Sequence, residues 1–111
     1  MAPRRGEVWL FDLGMAAKVR PVLVVSVEYG DIDRALTTVV PHTTSLRGSR
    51  FEVPVRVPFL QPGAFLAQGI VSQPSAHAIR KLGMLTPDQF GAVLSAVSRW
   101  LGLSEGSRTV R

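Results

Sequence analysis

Short apolar runs, broken by polar residues and by Gly and Pro, fill the chain as far as residue 74, and the period of the pattern changes only after that. "EVWLF" predicts a strand over Glu7–Phe11, and the β-branched "PVLVVSV" a strand over Pro21–Val27 that is apolar on both faces. "LTTVVPH" predicts a third over Leu36–His42. In "FEVPVRV" the alternation is strict: Phe51, Val53, Val55 and Val57 point one way, Glu52, Pro54 and Arg56 the other, with Pro54 marking an edge or a bulge. "GAFLAQGIVS" predicts a fifth strand over Gly63–Ser72, bulged at Gly69. Several short strands bent by Gly and Pro predict a small barrel or sandwich.

Toward the C-terminus the period becomes helical. A helical turn is predicted over Ser75–Leu82, stopped by Gly83. Thr86 is placed as an N-cap, Pro87 as the first helical residue and Gln89 as its capping-box partner; Phe90, Val93, Leu94, Val97 and Leu101 then share one face, and Gly102 ends the helix. No internal repeat interrupts the pattern. One domain is expected over residues 1–111: a barrel over about 5–73, a helix over about 86–102 and a polar tail over 104–111, a mainly β, α+β chain.

Charge changes this picture more than composition does. The net charge is +5, and 11 of the 13 basic residues are arginines, whose planar fork matches phosphate where lysine offers a point charge. An anionic partner follows, against the alternative of a generically basic protein. The absence of cysteine removes thiolate nucleophiles, disulfides and zinc-thiolate sites, and two histidines are too few for a metal cluster, so no metal or other cofactor is expected. The longest apolar runs fall far short of the roughly 20 residues a bilayer requires, and no signal-peptide core follows Met1–Arg5, so a cytoplasmic protein with no membrane role is expected.

Among candidate chemical groups, Arg20 stands out because it immediately precedes Pro21 and a buried strand. Proline fixes its own φ and holds the preceding residue extended, so this guanidinium is either a surface charge or a positioned one. His42 titrates near neutrality and suits acid or base chemistry, sharing a site with Thr43 only if the strand has ended there. Thr43, in "HTTS", is of a type that often binds its own turn backbone. Arg47 and Arg50, on either side of Gly48, suit either phosphate contacts or a solvated loop. Trp9, Phe11 and Trp100 suit the core better than base stacking; His77 belongs to the helical turn.

"RGEVWLFDL", "VRPVLVVS", "VVPHTTSLRGSRFEVPV" and the terminal helix closing in "RWLGL" occur in the order found in the MazF/PemK (Kid) toxins of bacterial toxin-antitoxin modules, which the chain resembles over roughly residues 5 to 103. The resemblance implies an SH3-like barrel of the MazF/PemK/CcdB type and a homodimer. It further implies a metal-independent endoribonuclease that cuts single-stranded RNA within a short sequence and is neutralised by a cognate antitoxin. Arg20 matches the arginine of the family's arginine-proline motif, with the implied role of stabilising transition-state charge; Thr43 matches the threonine after the third strand, with its hydroxyl on the scissile phosphate or 2′-oxygen. RNA contacts are expected from Lys18, His42, Thr44, Ser45, Arg47 and Arg50.

The chain departs from the family in two places. Only "GMAA" and Lys18 separate the first two strands, a shorter loop than in many members. Where the family commonly shows aspartate-glutamine followed by arginine and threonine, this chain has "AQGIVSQP", with Gln68 near the aspartate position and Val71 near the arginine position; those catalytic roles do not carry over. Two other classes stand beside the ribonuclease: a CcdB-like toxin that binds a protein such as DNA gyrase, and a barrel that binds RNA without cutting it.

Overall fold

The computed structural model of the protein describes residues 2–14 and 19–103, so Lys18 and the expected tail over 104–111 lie outside the described residues. Seven strands and one helix follow in chain order: β1 (Glu7–Asp12), β2 (Val19–Val24), β3 (Leu36–Thr43), β4 (Glu52–Pro54), β5 (Ala64–Leu66), β6 (Val71–Pro74), β7 (Ala78–Met84) and α1 (Pro87–Leu101). All strand pairings are antiparallel, and the sheet runs β4-β5-β3-β2-β1-β7. Strand β6 pairs with Leu36–Val39 of β3, while β5 pairs with His42 and Thr43 farther along. No ladder among the described residues joins β4 to β7, so the barrel is open.

β1 is buried on both faces, and its alternation divides the apolar residues into two cores. Val8 joins Leu23, Val40, Phe65 and the helix residues Val93, Ala96 and Val97, whereas Trp9 and Phe11 pack with Val22, Val24 and Val39. The Trp9 face also holds a nearly buried carboxylate. Glu7 Oε1 accepts from Trp9 Nε1 and from the Arg4 backbone N–H, each at 2.8 Å, and Lys81 Nζ lies 3.1 Å from Oε2. Burial alone would raise this carboxyl's pKa, but the Trp9, Arg4 and Lys81 partners outweigh it and hold the group below its ordinary value.

The helix follows its sequence signals closely. Thr86 accepts from the Gln89 backbone N–H at 3.2 Å, the Gln89 side chain accepts from the Thr86 N–H at 2.9 Å, and Gly102 closes the helix at φ +72°. Its buried stripe is Val93, Ala96 and Val97, with Phe90 half-buried and Leu101 exposed; small Ala96 allows α1 to sit close over β4 and the turn after β5.

Three expectations are corrected. The strand predicted over 51–57 pairs only at Glu52–Pro54, because Pro54 has no amide hydrogen to extend a ladder, although burial still alternates through Val55. The strand predicted over Gly63–Ser72 is two strands divided by a 3-10 turn at Ala67–Gly69. Gly69 is no bulge: a Cβ there would stand 2.7 Å from Pro41 Cγ, so the glycine permits the turn to close onto β3. The helical turn predicted over Ser75–Leu82 is a 3-10 turn only at Ser75–His77, and the rest is β7, where Gly83 leaves space for the Phe59 ring.

Candidate functional site

Two prolines determine where the sheet opens. The β2–β3 ladder runs Val24–Val39, Leu23–Val40, Val22–Pro41 and stops. Neither Pro21 nor Pro41 has an N–H to donate, and past this point β3 is paired, among the described residues, only on its other side, through His42 and Thr43 with β5. Because the strands run antiparallel, continuing them beyond their last pair brings the start of β2 beside the end of β3. Arg20, Pro21, His42, Thr43, Thr44 and Ser45 accordingly line one groove of about 490 Å³.

The rest of its wall comes from elements distant in sequence. β1 contributes Leu10, β7 contributes Arg80 and Leu82, and the segment after Pro58 contributes Phe59, Leu60 and Gln61. Two guanidiniums, one imidazole and three hydroxyls thus face this groove, and among the described residues no carboxylate does. A phosphodiester fits that balance of charge and donors.

His42 is almost fully buried. Its ring meets Phe65 edge to face at 5.2 Å, and its Nε2 has no hydrogen-bond partner among the described residues. Burial, and then the Arg20 charge, hold its pKa below the ordinary histidine value, so the imidazole is neutral at physiological pH. Gly63 crosses the ring edge so closely that a Cβ would stand 2.8 Å from Cε1. Thr43 Oγ1 accepts from the Ser45 backbone N–H at 3.0 Å, the local turn bond its residue type favours, which leaves its own proton free to donate.

The loop after Thr43 is pinned by Glu52. Its carboxylate accepts from the backbone N–H groups of Arg47 (2.9 Å), Gly48 (2.9 Å) and Ser49 (3.2 Å), with Gly48 at φ +76° supplying the left-handed turn they require. Those N–H groups, Arg47's foremost, keep the carboxyl's pKa low. Arg47 lines an adjoining depression of about 340 Å³, which shares Thr43 and Ser45 with the main groove and also includes Gln68. Arg50 lines neither; its guanidinium stacks 4.7 Å over the Phe51 ring. Val71 is exposed on β6, outside both concavities.

A further concavity of about 540 Å³ lies beyond Leu60 and Gln61, walled by Pro54, Pro58 and Pro62 and carrying Arg56 as its one charged side chain. It holds no acid or base, so size does not make it the chemical site. Arg80 and Gln61 are the polar lining residues that sequence patterning missed. Arg80 lay in a segment whose Ala, Arg and Lys are poor strand formers, and only the sheet reveals its place.

Residues 4–101 match the sequence family described as PemK-like, MazF-like toxin of type II toxin-antitoxin system. Among solved structures, an endoribonuclease in complex with its cognate antitoxin from a Mycobacterial species superposes with a TM-score of 0.78 at 28% identity, covering 93% of this chain and 98% of that one. Toxin MazF-mt6 of Mycobacterium tuberculosis gives 0.75 at 30% identity, over 88% of this chain and 98% of that one. The MazE-MazF structure from Deinococcus radiodurans, at 24% identity and a TM-score of 0.77 over 94% and 100% of the two chains, shares the fold.

Proposed function

The chain belongs to the PemK-like, MazF-like toxins of type II toxin-antitoxin systems, and from that premise we propose that it is an endoribonuclease cleaving single-stranded RNA within a short sequence, with no metal ion, until a cognate antitoxin neutralises it. One observation carries this reading: Arg20 and Thr43 line a groove that is rich in cations and hydroxyls and, among the described residues, free of carboxylates. The antitoxin-bound endoribonuclease of similar fold supports both the activity and the partner.

In such a cleavage the 2′-oxygen bonds to phosphorus as its proton leaves, and the bond to the 5′-oxygen breaks. That oxygen takes up a proton, giving a 2′,3′-cyclic phosphate and a 5′-hydroxyl end. The phosphorane between carries extra negative charge, which Arg20, a lining residue of the groove, stabilises through its bidentate guanidinium. Thr43 donates its free hydroxyl proton to a non-bridging oxygen or to the 2′-oxygen. His42, held neutral beside Arg20, is in the form that accepts a proton. Thr44, Ser45 and Arg47, on the loop that Glu52 pins, bind the RNA strand next to the break. Arg50, stacked on Phe51 outside both concavities, would meet the strand only beyond the groove.

The working form is a two-fold homodimer in the cytoplasm; a single chain leaves Ile79, Trp100 and Leu101 exposed, apolar surface that a second copy covers. Incubation of the purified protein with long single-stranded RNA in chelator tests the activity. Discrete fragments with cyclic-phosphate ends are expected, and sequencing those ends gives the recognition sequence. Retardation without cleavage would mean a non-cleaving RNA binder, and no effect at all a toxin of protein targets.

A further inference from the structure

Strand β7 carries two adjacent cations, and alternation sends them to opposite faces. Lys81 is in register with Trp9 and is committed to the buried Glu7, 3.1 Å away. Arg80 is in register with Leu10, whose partner on the other side of β1 is Pro21. The row Arg80, Leu10, Pro21 therefore crosses three strands, and all three residues line the groove. Arg80 is exposed and makes no ion pair among the described residues.

From this placement we propose that Arg80 is a second phosphate-binding arginine of the groove, holding the RNA phosphate next to the one on which Arg20 acts. The proposal rests on the ribonuclease reading above. Two interstrand spacings place the Arg80 backbone about 10 Å from β2 across the groove floor. Anchored this far apart and each able to engage a phosphate through its own bidentate fork, the two arginines are spaced to take successive phosphates of one strand. Arg20 sits at the ladder's end beside Thr43 and His42, where bond cleavage is proposed; Arg80 has no such neighbour on its own strand. Its share is to bind and orient the strand.

The test compares wild type, Arg80→Ala and Arg80→Lys on a single-stranded RNA that the wild type cleaves, and on its 2′-O-methyl counterpart, which lacks the nucleophile and reports binding alone. Arg80→Ala should weaken binding of the counterpart about 10-fold to 100-fold, as loss of one charge-assisted contact does. KM should rise in step while kcat stays within about threefold. The slope of log affinity against log salt should flatten by about 0.7, the share of one phosphate on a single strand, and Arg80→Lys should restore it. A folded Arg80→Ala with unchanged affinity and slope, or one losing kcat at unchanged affinity, overturns the assignment while the ribonuclease reading stands. A wild type that neither cuts nor binds RNA overturns both.

Discussion

Replacing Arg20 tests the proposed chemistry most directly. The side chain lines the groove at the start of β2, makes no ion pair among the described residues, and belongs to neither core. Arg20→Ala therefore breaks no ion pair among the described residues and removes nothing from either core, and global stability should move by no more than about 0.5 kcal/mol, the usual range for substitutions away from such features. Activity should behave very differently. Removing one preorganised donor to developing charge typically costs about 2.7 to 4 kcal/mol, and at about 1.36 kcal/mol per decade that is roughly 100-fold to 1,000-fold in kcat/KM. Arg20→Lys keeps the charge and loses the fork, so it should recover binding while leaving most of the rate defect. Single-turnover cleavage at saturating protein isolates the step. A second signal comes from His42, whose pKa the Arg20 charge helps to lower; in Arg20→Ala the imidazole should titrate closer to its ordinary value by NMR. If Arg20→Ala lowers the melting temperature yet cleaves as fast per folded molecule as wild type, Arg20 is a structural cation and the reasoning fails.

Glu7→Gln keeps an acceptor for Trp9 Nε1 but loses the charge that faces Lys81, and should cost about 1 to 3 kcal/mol at pH 7 by urea denaturation. Because the folded-state pKa of Glu7 is depressed, its contribution is present above the ordinary carboxylate value and lost as pH falls through the folded one, so a gap between wild type and variant that persists at low pH would contradict the pairing. His42 is also depressed, so below its ordinary value of 6.5 the unfolded chain binds a proton that the folded chain resists, and stability should fall as pH drops; in His42→Gln that slope should flatten, and an identical slope in both proteins would show that His42 is not its source. Thr86→Ala removes the acceptor for the Gln89 N–H and should lower stability by about 1 kcal/mol, a loss that scanning calorimetry resolves and whose absence would mean the cap is not stabilising.

The helix was the most legible element because its stop and start signals are local: Thr86, Pro87, Gln89 and Gly102 act within one turn of where they stand. The first three strands were legible for a similar reason, each being an apolar run whose burial follows from composition. Residues 63–84 were not. Their structure depends on β3, which receives β5 and β6 side by side, and on Pro41, whose ring Gly69 must approach; nothing within ten residues of Gly69 encodes that contact. β7 was hidden for the same reason. Ala78, Arg80 and Lys81 form a strand because β1 offers an edge, and tertiary pairing overrides their weak propensity. Half the groove was therefore visible beforehand, the half supplied by β2 and β3, while Arg80 and Gln61 were not.

That visible half has a physical origin in the same two prolines. Arg20 and Thr43 are far apart in the chain, but one residue precedes an apolar strand and the other follows one, and antiparallel pairing of those strands makes the two ends neighbours. The β2–β3 ladder residues Val22, Leu23, Val24, Val39 and Val40 are all consumed by the two cores. Where Pro21 and Pro41 end the ladder, that constraint lifts. His42 sits at the boundary, its ring still in the apolar packing against Phe65 and its surface already part of the groove. Burial lowers its pKa most, and the Arg20 charge that lowers it further is the one proposed to meet the phosphate, so a bound anion that neutralises Arg20 would relieve that second part. The arrangement thus favours a neutral imidazole before RNA binds and makes it easier to protonate afterwards, the direction a proton acceptor in the groove requires.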